Sequence, residues 1–231
     1  MKRFYKEVIV AEKNGSYTVN LDGKMIKTPE KSICLMPTKE MAKAVAKEWD
    51  NQEKEIDPHS MPITKLTNTA IDRVGKRREA LIDELIGFAG NDQLCYRADH
   101  PEELVKLQKM KWDPQLEKLR INHGVDLKIT KGVIFVEQNS SSLLKIRSII
   151  EKINDFRLTA FYGMVTVTGS ITIGLNLFEN NINVDEAWNA GYLDENFQTS
   201  QWGEDVEAAE RRKNLRNELI NAHYFLELCG K

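Results

Sequence analysis

The apolar residues of this chain change their spacing once, near residue 60, and this change limits the folds that the chain can adopt. Residues 4–36 alternate in short runs separated by Asn14-Gly15 and Asp22-Gly23, dipeptides typical of tight turns between antiparallel strands. Beyond residue 60, apolar residues recur at the period of an amphipathic helix. The pattern predicts an α+β protein, with a small N-terminal antiparallel β-containing domain at residues 1–60 and a larger, mostly α-helical bundle domain at residues 61–231.

The first helix is predicted to begin after Thr38, because a threonine side chain can accept a hydrogen bond from the first free backbone N–H groups. Met41, Val45 and Trp49 follow at four-residue steps and form one apolar stripe. We expect this stripe to pack the helix on the strands, with Trp49 in the contact. Asp72-Arg73, which lies among apolar residues, is either a polar junction between the domains or a surface pair.

One short segment interrupts the helical pattern of the second domain. The sequence "LKITKGVIFV" at residues 127–136 has two β-rich runs around Lys131-Gly132, which predicts an inserted hairpin. The apolar period predicts the helices that follow it at residues 142–161, 164–179, 183–201 and 205–228.

Composition and charge argue against nucleic acids and membranes as partners. The 231 residues are 41% hydrophobic and 29% charged, and the formal net charge is −2, so no overall field attracts a polyanion. The most apolar window, residues 164–178, is shorter than the roughly 20 residues that a membrane-spanning helix needs. The N-terminal sequence "MKRFYKEVIV" resembles neither a secretory signal nor a transit peptide. We therefore expect a cytoplasmic protein without membrane insertion.

Residues of the kinds that build catalytic, metal and cofactor sites do not occur in recognisable arrangements. Cys34, Cys95 and Cys229 form no CxxC pair, and the histidines do not show the spacing of metal ligands. Neither a glycine-rich phosphate loop nor a GxSxG motif is present. We expect no metal or other cofactor and no small-molecule substrate, and no arrangement of residues indicates nucleophilic catalysis. We expect the cysteines to be inert core thiols in a reducing compartment.

The most distinctive side-chain pattern lies in a helix predicted to begin near Val184. Its apolar residues fall on two opposite faces: Ala190, Leu193 and Phe197 on one, and Trp188, Tyr192 and Trp202 on the other. Glu195 lies among the three aromatic residues of the second face. Because burial of an unpaired carboxylate is costly, Glu195 either pairs with Arg73 or Arg97 of this chain or faces a partner molecule.

Several short motifs occur in order through nearly the whole chain. They are "RFYK", "LDGKMIKTP", "EWDNQ", "MPITKLTNTAIDRV", "DQLCYRADHPEELVKLQ", "KWDP", "TGS" and "DENFQ" followed by "WGED". In this order they resemble the family of assembly chaperones for the alpha subunit of the F-type ATP synthase, in its bacterial form. The resemblance implies a two-domain, ATP-independent chaperone that is not an enzyme and that holds the free alpha subunit until the beta subunit replaces it.

The resemblance also implies a partner-binding site on the acidic helix. It matches the residues Asp194, Glu195, Gln198, Trp202, Gly203 and Asp205, to which the helical pattern adds Trp188 and Tyr192. Glu195 is the first candidate, as a charged group that could pair with a basic residue of the alpha subunit. The alternative function is a small hydrolase acting through Asp194, Glu195 and Asp205 in a cleft between domains.

Overall fold

The computed structural model of the protein describes residues 1–230, which form two compact units. The first unit contains residues 1–78, a short segment at 154–160 and the C-terminal residues from Tyr224 on, and the second contains residues 79–153 and 161–223. The α+β fold class is confirmed: a small antiparallel sheet comes first and helices follow it.

The sheet of the first unit is an antiparallel meander of β1 (Val8–Lys13), β2 (Ser16–Leu21) and β3 (Lys24–Met25). The predicted turns are confirmed. Asn14 and Gly15 have φ values of 52° and 78°, and Asp22 and Gly23 have 47° and 78°, as the left-handed turns of tight hairpins require.

Helix α1 (Lys39–Asp50) begins as predicted, with the Thr38 side chain accepting a hydrogen bond from Met41 N. Met41 and Val45 are fully buried. Trp49 is half-buried and packs edge-on against Tyr5, with ring centroids 5.6 Å apart. Helix α1 also contacts β1 and β2, so it packs on the sheet as expected, although the Trp49 ring itself meets Tyr5, which precedes β1.

The first unit extends past residue 60, where the domain boundary was expected. A short 3-10 turn (Pro58–Ser60) leads into α2 (Pro62–Thr69) and a π-helical turn (Ala70–Val74). The Glu48 carboxylate accepts hydrogen bonds from Ile63 N and Thr64 N, both at 2.7 Å. Asp72 is buried and accepts from Thr28 Oγ1 at 2.7 Å. Asp72 is thus an internal junction of the first unit, and these bonds attach residues 61–78 to it.

The second unit is mainly helical. Its chain contains a 3-10 turn (Gln93–Cys95) and the elements α3 (Arg78–Gly90), β4 (Tyr96–Arg97), α4 (Glu102–His123), β5 (Thr130–Lys131), α5 (Ser140–Ile150), α6 (Asp155–Thr168), α7 (Ile171–Phe178), α8 (Val184–Gly191), α9 (Leu193–Trp202) and α10 (Val206–Leu228). The first residue of α3, the start of α6 and the end of α10 are counted with the first unit. Within residues 1–230, no helix combines the length and apolar character needed to cross a membrane.

The predicted hairpin at residues 127–136 is not formed. Strand β5 instead pairs in parallel with β4, and Gly132 N donates to Arg97 O at 2.8 Å. The Gln138 side chain takes the place of a second strand: its Oε1 accepts from Lys128 N at 2.8 Å and its Nε2 donates to Lys128 O at 2.9 Å. The backbone of Lys128 is thereby satisfied without a hairpin ladder.

Two of the predicted helices are also shorter than the apolar period suggested. The helix expected at 142–161 ends at Ile150, and the one expected at 164–179 is divided between α6 and α7. Gly169, at a φ of 65°, lies in this break. Ser170 then caps α7, its side chain accepting from Ile173 N at 3.1 Å.

Candidate partner-binding surface

The helix expected at residues 183–201 is divided at Tyr192 into α8 and α9. Two carbonyl groups that a continuous helix would use accept side-chain donors instead: Ala190 O accepts from Trp112 Nε1 at 2.8 Å, and Gly191 O from Gln93 Nε2 at 3.0 Å. An α-helix needs such carbonyls for the N–H groups four residues later. The break separates residues that the helical pattern had placed on one face.

The two aromatic residues before the break point into the second unit. Trp188 and Tyr192 are buried and stacked, with ring centroids 3.8 Å apart. Tyr192 Oη donates to Val167 O at 3.0 Å, and burial, followed by the charge of Glu195, raises the pKa of Tyr192. Neither aromatic ring is free to contact a partner. Trp188 and Tyr192 are therefore core residues and do not belong to an exposed binding surface.

Asp194, at the start of α9, also has an internal partner. Its Oδ1 accepts a hydrogen bond from Gln108 Nε2 at 2.8 Å, and Gln108 is itself buried. Gln108 Oε1 accepts from Ala98 N at 2.8 Å. Asp194 therefore fixes α9 to α4 through a buried amide.

The other four candidate residues lie together and are exposed. They line a cleft of about 390 Å³ formed by α9 and the start of α10: Glu195, Gln198, Trp202 and Asp205. Trp202 is 79% exposed, and Val206, four residues later at the start of α10, is 83% exposed. Gly203 ends α9 at a φ of 79°, a value that a residue with a Cβ rarely adopts. The glycine thus allows the chain to leave α9 directly after the tryptophan.

Arg212 lines this cleft and stabilises it through contacts with two other residues, although it was not among the predicted site residues. Its Nη1 lies 2.9 Å from Glu204 Oε1 and its Nη2 donates to Asn196 Oδ1. The helical period of α10 contained a signal for this role, since Arg212 occupies an apolar stripe between Ala208 and Leu215. An arginine in such a stripe needs carboxylate or amide acceptors.

The internal ion pair considered for Glu195 is not formed among residues 1–230. Arg97 instead lies 2.8 Å from Asp113 Oδ1 and stacks over the Trp112 ring, with its guanidinium carbon 5.2 Å from the ring centroid. Glu195 is exposed and forms no ion pair within the described chain. Its carboxylate is available to a partner.

The three carboxylates of the hydrolase alternative are engaged separately. Asp194 binds Gln108, Glu195 is exposed on the cleft, and Asp205 Oδ1 accepts from Ala208 N at 2.9 Å as a cap of α10. Among the described residues, no group of three or more His, Cys, Asp or Glu side chains is placed to hold a metal ion. The geometry does not favour acid–base catalysis at these carboxylates.

A second cavity, which the sequence did not predict, lies in the first unit. It has a volume of about 480 Å³, and apolar residues such as Trp49, Ile56 and Met61 form much of its lining. Asp72 also borders it, but the Asp72 carboxylate is occupied by Thr28 Oγ1 and by Glu30 N at 3.1 Å. This cavity thus also lacks converging catalytic groups.

An exposed tryptophan on a cleft rimmed by carboxylates has the features of a protein-binding surface. Comparison with known proteins agrees. A sequence profile described as "ATP12 chaperone protein" matches residues 2–120. The chain therefore belongs to the ATP12 chaperone family, which is the ATP synthase assembly chaperone family that its motifs resemble.

Individual relatives support the assignment over the full length of the chain. The crystal structure of Atp12 from Paracoccus denitrificans is 35% identical, with a TM-score of 0.95, covering 99% of this chain and 98% of that one. The Agrobacterium tumefaciens protein Atu1473 is 36% identical, with a TM-score of 0.93, covering 98% and 85%. The mitochondrial protein atp12 of Schizosaccharomyces pombe is 28% identical over 96% of this chain and 80% of its own length.

Proposed function

We propose that this protein is an ATP-independent assembly chaperone that binds the free alpha subunit of the F-type ATP synthase and prevents its aggregation until alpha assembles with beta. Membership of the ATP12 chaperone family supports the chaperone role. Subunits of an obligate complex have large apolar interfaces, which aggregate when they are exposed before assembly. A holder for such a subunit needs exposed apolar contacts within a polar rim.

The exposed Trp202 is the observation on which the proposed contact rests. A tryptophan that is 79% exposed gains much more from burial against a partner than most surface residues do. The carboxylates of Glu195 and Asp205 line the same cleft and could pair with lysine or arginine residues of the client. We further propose that the protein acts in the cytoplasm, a reducing compartment in which its three free cysteines remain thiols.

An aggregation assay of the purified alpha subunit tests this proposal. The wild-type protein should suppress light scattering of alpha equally well with and without ATP. Trp202→Ala should lose most of this protection, because the anchor side chain is removed. Ile121→Ala is the matched control, since Ile121 is 68% exposed but lies on α4, away from the cleft residues. Full protection by Trp202→Ala would reject the contact, and no protection by the wild type would reject the function.

A further inference from the structure

A second exposed apolar feature of the second unit is not explained by the cleft. Val133, Ile134 and Phe135, here called the apolar loop, are consecutive in the chain and are 98%, 72% and 66% exposed. Single exposed apolar side chains are common on protein surfaces, but three in a row form a contiguous patch that needs an explanation. Residues 133–136 make no hydrogen bond to any residue of the described chain.

The ends of the apolar loop are held in place. Before it, Gly132 N donates to Arg97 O at 2.8 Å and β5 pairs with β4. After it, the buried Gln138 side chain bonds to both backbone groups of Lys128, and Lys128 Nζ donates to Glu137 O at 3.0 Å. The loop is therefore a fixed projection whose tip alone is unsupported, and a partner would bind it without ordering a long flexible segment.

A chain of contacts joins the base of the loop to the end of α8, directly before α9. The backbone carbonyl of Arg97 accepts from Gly132 N. The guanidinium of Arg97 is paired with Asp113 at 2.8 Å and lies over the Trp112 ring. Trp112 Nε1 donates to Ala190 O at 2.8 Å, at the end of α8. Helix α4 thus contacts the loop base through Arg97 and the start of α9, the helix that bears Trp202, through Gln108 and Asp194.

The charges around the loop favour a protein partner over a membrane. Residues 126–138 contain two lysines, Lys128 and Lys131, and two carboxylates, Asp126 and Glu137. The segment has no net charge, whereas loops that insert into anionic membranes combine apolar tips with an excess of basic residues. An apolar protein surface needs no such excess.

We propose that the apolar loop is a second contact for the same client, inserting Val133, Ile134 and Phe135 into an apolar depression of the unassembled alpha subunit. This inference rests on the proposed function. Because the loop and the Trp202 cleft are carried by one unit, a client that contacts both is bound more tightly than either contact allows alone. The cleft supplies the charged and aromatic contacts, and the loop supplies the purely apolar one.

The test compares two triple variants. Val133→Ser/Ile134→Ser/Phe135→Ser removes the tip, and Met110→Ser/Ile121→Ser/Leu144→Ser removes three exposed apolar residues of the helices α4 and α5 in the same unit. Both should fold like the wild type in urea unfolding. The loop variant should bind the alpha subunit about tenfold more weakly or worse, since three apolar side chains are no longer buried, while the helix variant should bind normally.

Other outcomes overturn the inference in distinguishable ways. Normal alpha binding by the loop variant, with Trp202→Ala still defective, rejects the loop contact and leaves the proposed function intact. Failure of the wild type to bind alpha rejects both. Wild-type flotation with phosphatidylcholine–phosphatidylserine vesicles that the loop variant loses would assign the loop to lipid. A wild-type dimer that becomes monomeric in the loop variant would assign it to self-association.

Discussion

Asp92 and Thr172 are joined by two hydrogen bonds in the core of the second unit. Asp92 Oδ2 accepts from Thr172 N at 2.9 Å and from Thr172 Oγ1 at 2.7 Å. The same oxygen accepts from Ser170 Oγ at 2.9 Å, while Asp92 Oδ1 accepts from Leu94 N at 3.0 Å. Two motifs that are far apart in sequence, "DQLCYR" and "TGS", thus meet at one fully buried carboxylate. These bonds fix the first turn of α7 against the 3-10 turn that follows α3.

Replacement of Asp92 by asparagine should destabilise the second unit strongly. The amide group has the size of the carboxylate but supplies only one acceptor oxygen. With that oxygen toward Ser170 and Thr172, the amide NH2 group faces Leu94 N, so that two donors meet and both are left unsatisfied. A buried hydrogen bond lost in this way costs about 1–3 kcal/mol, so the free energy of unfolding should fall by about that amount. Urea unfolding measures this. Asp126→Asn, at an exposed position, is the control and should change little. Equal stabilities of the two variants would contradict a stabilising role of the hydrogen bonds to Asp92.

Two glycine-to-alanine substitutions should have opposite effects on stability. A Cβ at Gly174 in α7 would overlap Val165 Cγ2, a short, buried side chain that cannot move aside. A Cβ at Gly87 in α3 would meet no atom within 4 Å. Gly174→Ala should therefore cost about 1–3 kcal/mol through overpacking, whereas Gly87→Ala should add about 0.4–1 kcal/mol by restricting the unfolded chain. Thermal unfolding should separate the two variants in opposite directions from the wild type.

The two buried thiols should be unreactive in the folded protein. Burial raises the pKa of both Cys34 and Cys95 from the ordinary 9.0 to about 12, with the charges of Asp72 and Asp92 adding to the effect. At pH 8 the thiolate share falls to the order of 10⁻⁴, about a thousandfold below that of an ordinary thiol. In a Cys229→Ser background, an aromatic disulfide reagent should titrate two thiols after denaturation and none rapidly before it. Immediate labelling of the folded protein at pH 8 would be inconsistent with these pKa values.

The same pKa shifts predict how stability changes at alkaline pH. Because the folded-state pKa of each thiol lies above its unfolded value, the folded chain binds more protons than the unfolded chain between pH 9 and about 12. The contribution of the two buried thiols to the free energy of unfolding is therefore complete below pH 9 and is lost as the pH rises through this window.

Glu195→Lys should separate folding from client binding. Glu195 is exposed and forms no ion pair within residues 1–230, so the free energy of unfolding should stay within about 0.5 kcal/mol of the wild type. Protection of the alpha subunit should be lost, because a reversed charge in a desolvated contact costs about 2–5 kcal/mol. Glu227→Lys, an exposed reversal near the end of α10, is the matched control. A destabilised Glu195→Lys protein, or a stable one that still protects, would remove Glu195 from the proposed contact.

Features of the fold that depend on neighbouring residues could be predicted from the sequence. The turns at Asn14-Gly15 and Asp22-Gly23 follow from the positive φ values that these residues tolerate. The start of α1 follows from Thr38, whose side chain accepts a hydrogen bond from the backbone N–H three residues later. The helical character of the second unit follows from the apolar period. Each of these preferences operates over a few residues, so the local sequence is sufficient to determine it.

Features that depend on distant residues were decided only by the tertiary structure. The helix break at Tyr192 requires donors from Trp112 and Gln93, which are 78 and 98 residues away from their acceptors. That break buries Trp188 and Tyr192, leaves Trp202 exposed and thereby decides which members of the predicted site can face a partner. Strand β5 likewise pairs in parallel with β4, and not with the residues that follow it in the chain, as the expected hairpin would have required. The helical period of residues 184–202 is compatible with one continuous helix. The break could not be predicted from it, because a backbone carbonyl can accept from a local or a remote donor, and only the folded chain brings the remote donors within reach.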